Sequence, residues 1–217
     1  MIYSIYKPVG WTSFDVVKKI KSITKEKKVG HAGTLDPFAE GVLIIGTGKD
    51  TKKLSDISSS TKSYRAILKL GESTETLDNE GPITNTMSIP AFNKDKLEKV
   101  LISFKGDYIQ TPPMYSAKQV NGVRLYKLAR QNIEVPRDPI HVNISGITLN
   151  KILDKEIDFS VTCSKGTYIR VLGQDIAIKL GTIGYLTKLL RITVGPYEVN
   201  DSTSIKNFEE KWKSIDH

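Results

Sequence analysis

Lys28-Val29-Gly30-His31-Ala32-Gly33-Thr34-Leu35-Asp36-Pro37-Phe38-Ala39-Glu40-Gly41-Val42-Leu43 decides how the 217-residue chain is read. Gly30, Gly33 and Gly41 permit backbone angles that other residues avoid and let a ligand approach the main chain closely. Pro37 pushes Asp36 toward an extended conformation. A carboxylate is thus held at a restricted backbone position, on a glycine-flanked loop spanning 30–41. The apolar run 42–45 that follows reads as a buried strand. Taken alone, an Asp-Pro pair has a plainer reading, a local turn in which the aspartate accepts backbone N–H groups.

Working outward, residues 2–6 alternate apolar and polar as a short strand does, and 7–11 form a turn. Thr12 or Ser13 caps a helix reaching about Thr24, with Val16, Val17, Ile20 and Ile23 on one face. The basic loop 25–28 follows. Beyond the central stretch, 51–59 reads as a short helix, 64–70 as a strand, and 71–86 as polar and exposed. Asn93 caps an amphipathic helix with Leu97, Val100, Leu101 and Phe104 on one stripe. Residues 110–122, with Pro112-Pro113, are extended or looped, and a helix covers 123–130. Residues 140–149 and 156–163 make a strand pair. Ile169–Leu180 is a helix ended by Gly181, and 197–205 is a loop. Helices and strands mix without regular βαβ spacing, which predicts an α+β fold with a mixed, largely antiparallel sheet and flanking helices. No repeat or linker divides the chain, so 1–217 is read as a single domain.

Lysine and arginine number 32 against 24 aspartates and glutamates, a net charge of +8, which suits a phosphate-rich partner as well as a merely solvated surface. No apolar run approaches the ~18 residues of a membrane helix, and the start of the chain lacks the pattern of a signal peptide. The single cysteine, Cys163, fits a reducing cytoplasm and reads as a packed thiol. His31, His141 and His217 are scattered, so no metal set is expected. Gly46-Thr47-Gly48-Lys49-Asp50 fails as a phosphate loop, because Asp50 stands where Ser or Thr is needed. No cofactor is expected.

The longer pattern around Asp36 narrows the choice. Gly33-Thr34-Leu35-Asp36-Pro37, with Ala39, Gly41, Val42 and Leu43, resembles the signature of the tRNA pseudouridine-55 synthase family, TruB. Further motifs of that family follow in order. They are Lys7-Pro8-x-Gly10-x-Thr12-Ser13, Lys62-x-Tyr64-Arg65-Ala66, and Thr74-x-Thr76-x-Asp78-x-x-Gly81. Then come Gln110-x-Pro112-Pro113-x-Tyr115-Ser116-Ala117-Lys118, Cys163-Ser164-Lys165-Gly166-Thr167-Tyr168-Ile169-Arg170, and Val194-Gly195-Pro196-Tyr197. The resemblance covers residues 5 to about 200.

It implies the pseudouridine synthase core and an isomerisation of uridine in the T arm of tRNA, at position 55. Asp36 is then the nucleophile, attacking C1′ or C6 or assisting elimination to a glycal. Arg170 supplies a cation beside it. Tyr64 lies against a base flipped from its stack, and His31 helps reorganise the RNA loop around it. Gly33, Leu35 and Leu189 belong to the substrate pocket. Lys7 supports structure or contacts phosphate. Residues 115–140 correspond to a mobile RNA-binding flap, and the basic loop 25–28, Arg124, Lys127 and Arg130 are candidate phosphate contacts. The expected partner is the tRNA T-arm stem-loop, with no DNA, no membrane and no obligate protein partner. A non-catalytic RNA-binding or RNA-folding protein on the same scaffold is the rival reading. Two departures stand out. Leu190-Arg191 replaces a frequent Arg-Arg pair, and 20 residues after Tyr197 are too few for the family's usual C-terminal PUA module.

Overall fold

The computed structural model describes residues 1–215, so His217 lies outside the described residues. The chain forms two compact units, one of Met1–Tyr64 together with the segment from Leu189 onward, the other of Arg65–Lys188.

The first unit opens with β1 (Ile2–Lys7) and α1 (Ser13–Thr24). Thr12 is the cap: its hydroxyl accepts from Asp15 N–H, and the Asp15 carboxylate accepts from Thr12 N–H, at 3.1 and 3.0 Å. This reciprocal box satisfies two otherwise orphan donors. Next come β2 (Val29–Ala32), β3 (Glu40–Thr47), a 3-10 turn (Gly48–Lys53) and α2 (Leu54–Ser59), and then the chain enters β4 (Lys62–Leu70). β3 pairs antiparallel with β1 on one edge (Ile5↔Leu43) and with β2 (His31↔Ile45). Its apolar run is continuous because both faces are covered. Leu43 and Ile45 face a cluster with Ile5, Val16, Val17, Ile20 and Phe208, while Val42 and Ile44 face Ala32, Leu54 and Val194. The expected loop 30–41 is therefore a loop only from Gly33. Residues Val29–Ala32 are drawn into the sheet because β3 has backbone groups to satisfy.

In the second unit, β5 (Glu72–Thr74) and β6 (Ile83–Thr86) pair as a small hairpin. The segment 71–86 is thus not simply exposed, since Thr74 and Asp78 are buried. α3 (Lys94–Ile102) starts where Asn93 accepts from Lys96 N–H at 2.9 Å, and β7 (Gly106–Gln110) follows. The ribbon β8 (Gln119–Val120) and β9 (Val123–Arg124) turns at Asn121-Gly122, both with positive φ (50° and 79°). Asn-Gly is the sequence such a tight hairpin turn favours, and it shortens the expected helix 123–130 to α4 (Leu125–Ala129). β10 (Ile140–Leu153) and β11 (Glu156–Cys163) form the expected strand pair, antiparallel and with β10 reaching beyond the expected 149, and α5 (Ile169–Leu180) ends at Gly181 in the left-handed region (φ 90°). With β12 (Gly184–Val194), the strand order in this unit is β12-β4-β11-β10-β7.

β12 then carries the chain back into the first unit, where it runs parallel to β3 (Arg191↔Gly41). β13 (Tyr197–Glu198) folds back on it, β14 (Thr203–Ser204) joins β1 in parallel, and α6 (Ile205–Ile215) follows. The expected loop 197–205 thus includes two short strands. Phe208 and Trp212 stack on each other and meet Tyr3 edge-on at 4.9 and 6.4 Å. The sheet is mixed and mainly antiparallel with helices flanking it, which is the fold class expected. Among the described residues no helix is long and apolar enough to cross a membrane.

In the second unit the Asp158 carboxylate, almost fully buried, accepts from Arg65 Nε and Nη2 at 3.0 and 2.6 Å and from Asn150 Nδ2 at 2.8 Å. The Arg65 guanidinium, then the Asn150 amide, hold its pKa below the usual carboxylate value. A depressed native pKa stabilises the fold above the unfolded value and loses that contribution as pH falls through the native one. Asp158→Asn should cost about 1–2 kcal/mol at neutral pH. The deficit should shrink below about pH 4, as read from urea midpoints across pH.

Candidate active site

Asp36 lies on the connection 33–39 between β2 and β3. The loop turns at this residue: Ala39 N–H donates to the Asp36 carbonyl at 3.1 Å. Its apolar members point inward, with Leu35, Phe38 and Ala39 all buried, and Asp36 itself is half-buried. The local Asp-Pro turn and a half-buried aspartate are therefore compatible features of one loop.

The loop's backbone is held by side chains from elsewhere in the first unit. Ser13 Oγ, at the start of α1, donates to the Leu35 carbonyl and accepts from Leu35 N–H, at 3.1 and 2.9 Å. Lys7 Nζ donates to the carbonyls of Pro8, Trp11 and Pro37 at 2.9, 2.6 and 3.3 Å. Gly10 N–H reaches the same Pro37 carbonyl at 2.8 Å. Lys7 is 0% exposed, so of its two expected roles it takes the supporting one. Arg191 Nε donates to Val42 O at 2.7 Å, and its Nη1 and Nη2 donate to the carbonyls of Thr34 and Gly33, both at 3.2 Å. Gly41 makes this approach possible. Its φ is +107°, and a Cβ there would stand 2.3 Å from the Arg191 carbonyl, so any other residue is both strained and blocked.

Tyr64 (β4) and Leu189 (β12) are buried and His31 (β2) is half-buried, all within this unit. Lys62, two residues before Tyr64, is buried and donates to the carbonyls of Ser58 and Ser60 at 2.7 and 2.6 Å, which fixes the entry to β4. The structure thus ties Asp36, Gly33, Leu35 and Lys7 into one hydrogen-bonded frame.

Arg170 belongs to the second unit, in the first turn of α5, and is 3% exposed. Nη1 donates to the Thr76 carbonyl at 2.6 Å and lies 3.3 Å from Asp78 Oδ2, while Nη2 donates to the Tyr115 carbonyl at 2.8 Å. Asp78 in turn accepts from Thr76 Oγ1 and Glu80 N–H at 2.5 and 3.0 Å. Sequence reasoning named Arg170, offered Ser13 only as a helix cap and Arg191 only as a departure from an Arg-Arg pair, and gave no role to Asp78 or Lys62. Asp78 and Lys62 carried a signal, since both stand in the matched motifs. Lys25, Lys27, Lys28, Arg124, Lys127 and Arg130 are all exposed, and Arg130 lies over the Tyr126 ring at 5.6 Å. No group of three His, Cys, Asp or Glu among the described residues is placed to hold a metal ion.

Comparison with known proteins gives the family and the fold. The model of the TruB family pseudouridylate synthase N-terminal domain matches residues 21–169. The tRNA pseudouridine synthase B of Clostridium acetobutylicum is 44% identical over 97% of the chain, and that of Clostridium kluyveri 45% identical over 97%. The chain spans 72% of the length of each of these relatives. Among solved structures, a Cbf5-Nop10-Gar1 complex contains a chain with a TM-score of 0.78 and 26% identity, covering all of this chain and 56% of its own length. A structure of an H/ACA RNP bound to a substrate RNA containing 2′-deoxyuridine shares the fold at a TM-score of 0.73 and 24% identity, over all of this chain and 55% of that one.

The three carbonyls held by Arg191 make a sharp test of the frame. Lysine keeps the charge but loses the planar fork, so Arg191→Lys should leave buried carbonyls without donors. A loss of about 2–3 kcal/mol is expected, or roughly 4–12 °C in melting temperature for a chain of this size. Calorimetry of the two proteins checks it, and equal melting temperatures would remove Arg191 from the frame.

Proposed function

The chain belongs to the TruB family of pseudouridylate synthases, and we propose that it isomerises a uridine in the T arm of transfer RNA, with Asp36 as the nucleophile. The observation that carries this reading is the loop 33–39. A half-buried carboxylate is presented on a backbone whose carbonyls are bound by Lys7 and Arg191, inside the stretch that matches the family. An active-site carboxylate needs such preorganisation, because small errors of position cost large factors in rate.

The reaction breaks the N1–C1′ bond and forms a C5–C1′ bond. C5 loses its proton and N1 gains one, so the change is an isomerisation and needs neither oxidant nor cofactor. Attack at C1′, attack at C6 and assisted elimination to a glycal all draw on the same ionised carboxylate. The target base has to leave its stack to reach it. In this reading Tyr64 offers a ring face to the base and a hydroxyl for proton transfer. Arg170 is the accompanying cation, and Leu189, Gly33 and Leu35 line the pocket. His31 occupies the space that the flipped base vacates in the RNA loop. We place the protein in the cytoplasm, where its tRNA substrate and a reduced Cys163 are both at home, and read it as acting without a protein partner.

Purified protein incubated alone with unmodified tRNA should produce pseudouridine at one position of the T arm. Asp36→Asn should abolish turnover while RNA affinity stays within a few-fold, because affinity comes mainly from phosphate and loop contacts. Turnover by that variant beyond wild-type contamination would refute the assignment. An RNA bound tightly but never isomerised by the wild type would favour the non-catalytic rival. An isolated T-arm stem-loop should serve as substrate within about tenfold of full-length tRNA in specificity constant, or ~1.4 kcal/mol. A far poorer stem-loop would move the recognised surface outside that arm.

A further inference from the structure

The outer face of α1 carries an aromatic ring that the fold does not use. Phe14 is 60% exposed, and it is the only aromatic side chain in the exposed class among the described residues. Burying a phenylalanine is among the larger single gains available to a fold, so a ring left in water with a cation over it is suited to a partner with a flat face. Val9, in the turn that precedes α1, is 56% exposed. Lys18, one helical turn on from Phe14, holds Nζ 4.7 Å from the ring centroid. Gly10, Trp11, Asp15, Lys18 and Lys19 line a shallow concavity at this place. Two of its charges are engaged: Lys19 pairs with Glu209 at 2.6 Å, and the Asp15 carboxylate serves the cap of α1. Lys18 remains exposed, and Lys21, Lys25, Lys27 and Lys28 continue the same charge along and beyond the helix.

An exposed ring with an ammonium beside it matches one nucleotide of an unpaired strand. The ring meets a base face and the ammonium meets the adjoining phosphate. We propose that Phe14 and Lys18 form an RNA subsite, stacking an unpaired base and binding its phosphate outside the uridine pocket. The lysine-rich surroundings favour a polyanion over an apolar protein partner. The position favours the substrate strand itself. The turn that carries Val9 and Gly10 is bound to the Asp36 loop through Lys7 Nζ and Gly10 N–H, which share the Pro37 carbonyl, and α1 is bound to it through Ser13 and Leu35. A strand held at Phe14 is therefore held at a fixed offset from Asp36. This subsite rests on the proposed function in taking the substrate RNA as its occupant.

The test is equilibrium binding of unmodified tRNA and of the T-arm stem-loop by the full chain, across a salt series, for Phe14→Ala, Phe14→Trp and Lys18→Gln. Ile178→Ala, an exposed apolar position in the second unit, serves as control. Phe14→Ala should weaken binding about tenfold with an unchanged salt slope, and Phe14→Trp should restore it. Lys18→Gln should lower the slope of log K against log salt by about 0.7, the value of one single-strand phosphate contact. Binding by folded variants within twofold of wild type, at equal slope, overturns the subsite whether or not pseudouridine forms. So does a self-association of the wild type that Phe14→Ala abolishes while RNA binding is unchanged, since the face would then serve a second copy. Wild-type protein that binds RNA but forms no pseudouridine overturns the catalytic reading instead, and the binding series still decides the subsite.

Discussion

Backbone carbonyls bound by buried cationic side chains hold the candidate site in place. A loop such as 33–39 has no ladder to satisfy its main chain, and a buried carbonyl left without a donor costs about 1–3 kcal/mol. Lys7 and Arg191 supply those donors from two different strands, and Ser13 adds a third anchor from a helix terminus. Asp36 inherits its position from this frame without having to contribute to it. Its carbonyl and its neighbours' carbonyls carry the structural load.

This division explains why one strand of the first unit is so apolar and another so mixed. β3 needs only to be covered on both faces, and an unbroken run of aliphatic residues does that. β12 must both pack and deliver a guanidinium, so Arg191 interrupts its apolar sequence and lies at 1% exposure. Gly41 is the complementary feature on β3, because the close register of the two strands leaves no room for a side chain there. Replacing the frequent Arg-Arg by Leu190-Arg191 leaves this frame intact, since the second position carries all three carbonyl contacts.

The same reasoning marks what the sequence could and could not disclose. A cap at Thr12 or Ser13, the strand pair of β10 and β11, and the stop at Gly181 rest on local chemistry, and all were legible. The helix 123–130 was read too long because Asn121-Gly122, a strong turn signal, was absorbed into a polar stretch. α6 was not anticipated, although Ile205, Phe208 and Trp212 share one helical stripe. β12 was missed for a deeper reason. Its buried arginine looks like a surface residue in sequence, and what makes it buried is a set of carbonyls with no side-chain signature. At the candidate site, the loop that carries Asp36 was marked by glycine, proline and the family pattern together, whereas the burial of Arg191 and Asp78 is a product of tertiary pairing.

Buried cations also change how the net charge should be read. Lys7, Lys62, Arg170 and Arg191 all count toward the formal +8 but are at most 5% exposed, so they offer a polyanion nothing at close range. Buried Asp78 and Asp158 offset them only in part, and the surface surplus is accordingly smaller than the sum suggests. At physiological salt, charges act over about 8 Å, and where the lysines lie matters more than how many there are. Those from Lys18 to Lys28 sit on or just after α1, which Ser13 ties to the Asp36 loop. The unit that presents the carboxylate therefore also presents a concentrated basic surface. In the proposed function, RNA bound by the second is held at a fixed offset from the first, without relying on a diffuse field of the whole molecule.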